Sequence, residues 1–237
     1  MDELIGEILA CWCVNTRDIL PLKCHAQILM KLLREKYNVN FNDLTKIHVK
    51  KIEKNTIIFT EKTRKWCKLP YKNNKKGCPN YNTNDLCPPK SKYMQKLTNK
   101  FNHFYLVYIE FNFKLYKQLR SKLHPNWKEG MLGNLLYWQR PVTNILRDKI
   151  EELIQLNKYN TLYLFGSGSG KAYIKLGLLQ KQVYSMESAG IYVFGTLKNN
   201  NIDFEVKPKN KILLVSLLCS YNPLIFGYKT KSVLKGN

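Results

Sequence analysis

At 237 residues and 27.9 kDa the chain is long enough for one large domain, or one domain with a small appendage. Hydrophobic residues at 44% and aromatics at 12% suffice for a buried core. A mean hydropathy of −0.37 and a longest apolar run of only Ile212–Leu218 argue against a membrane-spanning helix, which needs about 20 apolar residues. Lysine and arginine number 39 against 17 acids, a net charge of +22, so the expected partner is a polyanion, nucleic acid or a nucleotide first. The excess is nearly all lysine and is accompanied by asparagine, as at Asn199-Asn200-Asn201, which an AT-rich coding sequence also produces.

In chain order, Met1-Asp2-Glu3-Leu4 carries acid where a secretory signal has lysine or arginine. The expectation is an intracellular, reducing compartment, with the seven cysteines as free thiols or metal ligands. Residues 1–36 read as two helices broken at Pro21, with Leu4, Ile5, Ile8 and Leu9, then Ala26, Ile28, Leu29, Leu32 and Leu33, at helical spacing. Cys11, Cys13 and Cys24-His25 could form a small zinc site. On a helix, however, residues two apart point about 200° from each other. Cys11 and Cys13 also lie within the apolar run Ile8–Val14, so they read better as small buried hydrophobes. Ile47–Ile52 and Thr56–Phe59, with Glu53-Lys54-Asn55 between them, read as a hairpin that closes an N-terminal unit of residues 1–60 packed on the main domain.

Residues 61–92 show almost no regular pattern and are punctuated by Pro70, Gly77, Pro79, Pro88 and Pro89. Between Lys46 and Lys100, fifteen lysines and arginines face only Glu53, Glu61 and Asp85, a net +12. So long a loop inside a domain is either functional or disordered. Its cysteines and its aromatics Trp66, Tyr71 and Tyr81 require something to tie it down. From residue 103 the chain reads as α/β: strands at Phe104–Phe111, Thr161–Phe165 and Lys211–Cys219, and helices at Pro141–Leu156 and Ser188–Lys198. The expected fold is thus α/β, a mixed sheet with flanking helices, a long basic cysteine loop and a helical N-terminus. Residues 61–237 would form the metal-binding domain.

Cys67, Cys78 and Cys87 follow the spacing Cys-x10-Cys-x8-Cys. Thiolates suit zinc or an iron–sulfur cluster, and the nearby lysines are expected to lower the thiol pKa values. Three ligands leave either an open metal position or a distant fourth ligand, from Cys11, Cys13, Cys24, Cys219, His103 or His124. Gly166-Ser167-Gly168-Ser169-Gly170-Lys171 follows a strand and could cradle an anion. It is no ATP-binding P-loop: the glycine spacing is one residue short, and Ala172 stands where Ser or Thr should hold magnesium. Ser185-Met186-Glu187-Ser188-Ala189-Gly190 reads as a helix cap, with Ser185 as N-cap and Glu187 against the helix dipole. A general acid–base role for Glu187 is the other reading.

Two of these segments together resemble a family. Cys78-Pro79-Asn80-Tyr81 through Cys87-Pro88-Pro89 resembles the first signature of the uncharacterised predicted metal-binding proteins (domain of unknown function 2284). Ser185-Met-Glu-Ser-Ala-Gly-Ile-Tyr-Val is similar to the second, over a stretch of roughly residues 60–220. The resemblance implies an α/β protein holding an iron–sulfur cluster, [4Fe–4S], or zinc, and implies no reaction. The chain departs from the pattern where family members carry a Gly-Pro-Cys-x-x-Cys run, since Gly166–Lys171 has no cysteine, and Tyr192 replaces an acidic residue. The leading expectation is a metalloprotein that acts on a nucleotide or nucleic acid by redox, sulfur or base-modification chemistry. The alternatives are a non-catalytic nucleic-acid-binding module ordered by structural zinc, and a metal-free partner subunit.

Overall fold

The computed structural model describes residues 39–70, 75–168 and 182–227. The two expected N-terminal helices, with Cys11, Cys13 and Cys24, lie outside the described residues, as do Ser169, Gly170 and Lys171. The architecture is α/β. Strands β1 (Thr45–Ile52), β2 (His103–Asn112), β3 (Leu162–Gly166), β4 (Tyr184–Ser185) and β5 (Lys211–Ser220) form one mixed sheet in the order β1-β2-β5-β3-β4. Only β3 and β4 run parallel; the other neighbours are antiparallel. The helices are α1 (Glu61–Trp66), α2 (Phe113–Leu123), α3 (Glu129–Leu132), α4 (Leu135–Leu156) and α5 (Val193–Asn199).

Alternation along the strands builds two cores, one on each face of the sheet. In β2, Tyr105, Val107, Ile109 and Phe111 join Leu164 and Leu218 on the face covered by α2 and α4. Their neighbours Phe104 and Leu106 point the other way, with Phe165, Leu217 and Cys219, towards Ile57, Met94, Met186, Ile191 and Leu197. Strands buried on both faces read as nearly unbroken apolar runs, which is why β2 and β5 stand out in the sequence. Helix α4 lays Val142, Leu146, Ile150 and Leu153, all fully buried, along the first face. At the sheet's edge, β1 carries Lys46, Lys50 and Lys51, charges that discourage pairing with another chain.

Three sequence expectations need correction. Residues 45–59 are not a hairpin: β1 pairs with β2, and after a 3-10 turn at Lys54–Thr56 the chain leaves the sheet, Phe59 forming an isolated bridge to Ile191. Helix α4 begins at Leu135, not Pro141, because the Asn134 side chain accepts from the Leu136 amide and Trp138 is already buried, its indole donating to the Gly133 carbonyl. The helix expected at Ser188 begins at Val193, because residues 186–190 are spent in a tight turn.

The loop into β5 is held by one carboxylate. Glu205 accepts from the amides of Lys209 and Asn210 and from the Asn210 side chain, which holds its pKa down to about 2 from an ordinary 4.5. A folded pKa below the unfolded one gives a contribution that is present above about pH 4.5 and is lost as the pH falls towards about 2. The protection of the Lys209 and Asn210 amides, taken against their intrinsic exchange rate at each pH, is therefore expected to fall through that window, and Glu205→Gln should remove this loss by lowering the protection at every pH. Protection that stays constant with pH in the unsubstituted protein would contradict it.

Candidate metal centre and adjoining cavity

The cysteine loop starts on a real, if short, helix. Thr60 caps α1 by accepting from the Lys62 amide, and Cys67 is the residue at which the helix ends. The chain then returns so that the Cys78 amide donates to the Cys67 carbonyl at 2.8 Å. Gly77 makes that approach possible. Its φ is +83°, and a Cβ there would stand 2.5 Å from the same carbonyl oxygen. Beyond it, Tyr81 donates from its amide to the Cys78 carbonyl, Asn82 to Pro88, and Cys87 to Asn84, so local bonds replace regular structure.

The loop is fastened by residues far away in sequence. The carbonyls of Glu187, Ser188, Ala189 and Gly190 accept, in turn, from the Thr63 hydroxyl at 3.4 Å, the Ser91 hydroxyl at 3.0 Å, the Met94 amide at 3.0 Å and the Thr60 amide at 2.7 Å. Thr60 and Thr63 lie at the loop's entrance, Ser91 and Met94 at its exit. Arg64 adds a further bond across the two ends, to the Ser91 carbonyl. The turn itself is closed by Ser185, whose hydroxyl accepts from the Ser188 amide. The segment read as a helix cap is thus a clamp on the loop.

This arrangement brings the three thiols into one neighbourhood. Burial raises the Cys67 pKa, and the thiols of Cys78 and Cys87 and the carboxyl of Glu187 raise it further. The expected lowering by lysines does not occur at Cys67. Lys62, Lys65, Lys75 and Lys76 are exposed to solvent, where their field is screened, and Lys68 turns its ammonium to the Tyr81 ring. Glu187 is also displaced upwards, by desolvation, against the opposing bonds from its own amide and from the Ser185 hydroxyl. The residue is exposed and lines a recess.

That recess is a cavity of about 300 Å³ lined by Thr63, Trp66, Ser167, Glu187, Tyr192 and Phe194, with Val193 and the β5 residues Leu213–Val215 behind. Trp66 and Tyr192 meet edge to face with ring centroids 5.3 Å apart. Glu187 and Trp66 therefore belong to both places, the thiol neighbourhood and the cavity.

A family model, described as predicted metal-binding protein (DUF2284), matches residues 50–172. The chain belongs to this family. The match takes in Cys67, Cys78 and Cys87 and ends before Ser185, so the second of the two resembling motifs lies outside it. No curated protein and no solved structure matches the chain.

The family description supports a metal cofactor in general terms. The donor set fits one chemically, since three thiols with a carboxylate nearby suit a soft or borderline metal. Among the described residues, however, no three His, Cys, Asp or Glu side chains already stand together as a ligand group. Cys219 lies fully buried in β5 with its thiol pKa pushed up by burial, and packs as a hydrophobe. His124 stacks on Trp127 with centroids 4.0 Å apart, and His103 is half-buried in β2. Of the glycine segment, Ser167 reaches the cavity. The aromatic walls Trp66, Tyr192 and Phe194 were not singled out as a site in the sequence. A tryptophan directly before a cysteine of the loop was the one available signal.

Gly190 is the critical point of the clamp. Its φ is +98°, and a Cβ would lie 2.3 Å from the Tyr93 ring. Gly190→Ala is expected to destabilise the fold by about 2–4 kcal/mol, combining left-handed strain with overpacking. Thermal unfolding should register it as a fall of roughly 5–15 °C. An unchanged melting temperature would show that the turn does not clamp the loop.

Proposed function

We propose that this chain is a metal–thiolate protein in which Cys67, Cys78 and Cys87 bind the metal, a [4Fe–4S] cluster first and zinc as the alternative, and that it acts on a nucleotide or nucleic acid at the adjoining cavity. One observation carries the reading: thiols from three points of an irregular loop share an electrostatic neighbourhood with a carboxylate a hundred residues away. Free cysteines on an unconstrained loop would not be gathered in this way.

Cys67, Cys78 and Cys87 would hold the cluster, which would supply electron transfer or sulfur and base-modification chemistry. The chain's own residues supply the remainder. Glu187, whose carboxyl pKa is displaced upwards by desolvation, lines the cavity and can exchange a proton with a ligand there or accept its hydrogen bonds. Ser167 borders the same cavity, so the turn at Gly166–Gly168 can meet an anionic end of that ligand. Trp66 and Phe194 form an aromatic wall on one side of it.

The absence of cysteine from Gly166–Lys171, where family members carry a Gly-Pro-Cys-x-x-Cys run, motivates a second reading, the metal-free partner subunit. Metal analysis separates the two. Anaerobically purified protein is expected to contain about one metal centre per chain, and Ala at Cys67, Cys78 and Cys87 together should reduce it to background. Brown colour with iron and acid-labile sulfide in equal amounts identifies the cluster. Colourless protein with zinc, destabilised by chelator, identifies the structural-zinc module. Stoichiometric metal in the triple variant, or none in the unsubstituted protein, would defeat the assignment of these ligands.

A further inference from the structure

We propose that the cavity between α1, β5 and the start of α5 binds a planar nitrogen heterocycle bearing paired N–H donors on one edge, a guanine-type base. Its ring would lie against the Trp66, Tyr192 and Phe194 aromatics and its donor edge on the Glu187 carboxyl. The inference deepens the reading of the cavity as the ligand site of the metal centre and rests on it.

Three features of the cavity select this class. First, Trp66 and Phe194 remain 43% and 41% exposed beside it, although rings of this size are normally covered. Trp66 contacts Tyr192 edge to face, and Phe194 stacks on Phe204 at 5.1 Å, so the aromatic wall is braced from behind rather than closed over the space. Second, the back wall of Val193, Leu213, Leu214 and Val215 offers little to a sugar or a phosphate but suits a flat ring. Third, Glu187 already accepts from its own amide and from Ser185, and its open side faces the cavity. A carboxylate in that position calls for donors, and two adjacent N–H groups satisfy it as a bidentate pair. An organic cation also satisfies aromatic walls and a carboxylate. The net charge of +22, with +12 between Lys46 and Lys100, opposes its approach and draws in a nucleotide instead. A volume of about 300 Å³ accommodates a small ligand and no longer chain.

The test is calorimetric titration of the full-length chain with guanosine, inosine (which lacks the exocyclic amine) and tetramethylammonium. It is run on metal-loaded protein and on the Cys67→Ser/Cys78→Ser/Cys87→Ser variant. Guanosine is expected to bind both forms, and inosine about tenfold more weakly, as for the loss of half of a bidentate contact. Trp66→Ala and Phe194→Ala should each weaken guanosine about tenfold, within the range for loss of one stacking partner. Glu187→Gln should weaken guanosine by a similar factor and bring inosine level with it. Failure of guanosine to bind either form overturns the inference. So does binding indifferent to both aromatic variants, equal affinity for inosine in the unsubstituted protein, or preference for tetramethylammonium. Retained binding in a variant without metal leaves the cavity assignment standing even where the metal assignment fails, and metal content measured on the same samples distinguishes the two failures.

Discussion

The candidate site depends on four consecutive backbone carbonyls. A loop as polar as residues 67–92 buries too little apolar surface to offset the entropy of ordering it. Local backbone bonds hold its described residues, and its ends are fastened where Thr60, Thr63, Ser91 and Met94 donate to the carbonyls of residues 187–190. Each such bond contributes only about 0.5–1.5 kcal/mol net. Four of them on one rigid turn act together, because the turn is itself anchored in the core by Met186, Ala189 and Ile191. Gly190 is what permits the turn, and the Tyr93 ring occupies the space that any side chain there would need.

The same clamp explains why the thiol neighbourhood and the cavity share residues. Helix α1 ends at Trp66, and the next residue is Cys67. When the clamp fixes α1, it directs the indole towards the Tyr192 side and leaves the thiol on the side of Cys78 and Cys87. Glu187 lies between the two because its carbonyl serves the clamp while its carboxyl opens into the recess. The two places therefore share the backbone of one short turn.

The fold was legible in the sequence wherever burial dictates pattern. The runs at residues 104–111 and 211–219 are buried on both faces, and the stripe Val142, Leu146, Ile150, Leu153 faces the sheet, so period and apolarity sufficed. The cysteines stood out as candidate ligands by their chemistry. The hairpin was misread because Ile47–Ile52 and Thr56–Phe59 are both β-prone, and local propensity carries no information about the partner, which proved to be β2. The Ser185 segment was misread because Ser, Glu and Gly suit a helix cap and a tight turn equally well. The decisive contacts of residues 187–190 join positions about 100 or more residues apart, and nothing local in the sequence marks them. The aromatic walls were hidden for the same reason: Trp66 and Tyr192 become neighbours only once the clamp is closed.

The lysines act outwards rather than inwards. With so many of them around the thiols, a lowered pKa was the natural expectation, yet Cys67 moves the other way. Distance and solvent decide it. Lys62, Lys65, Lys75 and Lys76 stand exposed, and Lys68 turns its ammonium to the Tyr81 ring at 5.4 Å, while Cys67 is half-buried among other acidic groups. A charge in water is screened over about 8 Å at physiological salt, whereas burial and a neighbouring thiol act without that screening. The lysines thus do little to ionise the thiol, and their charge lies on the solvent side of the loop.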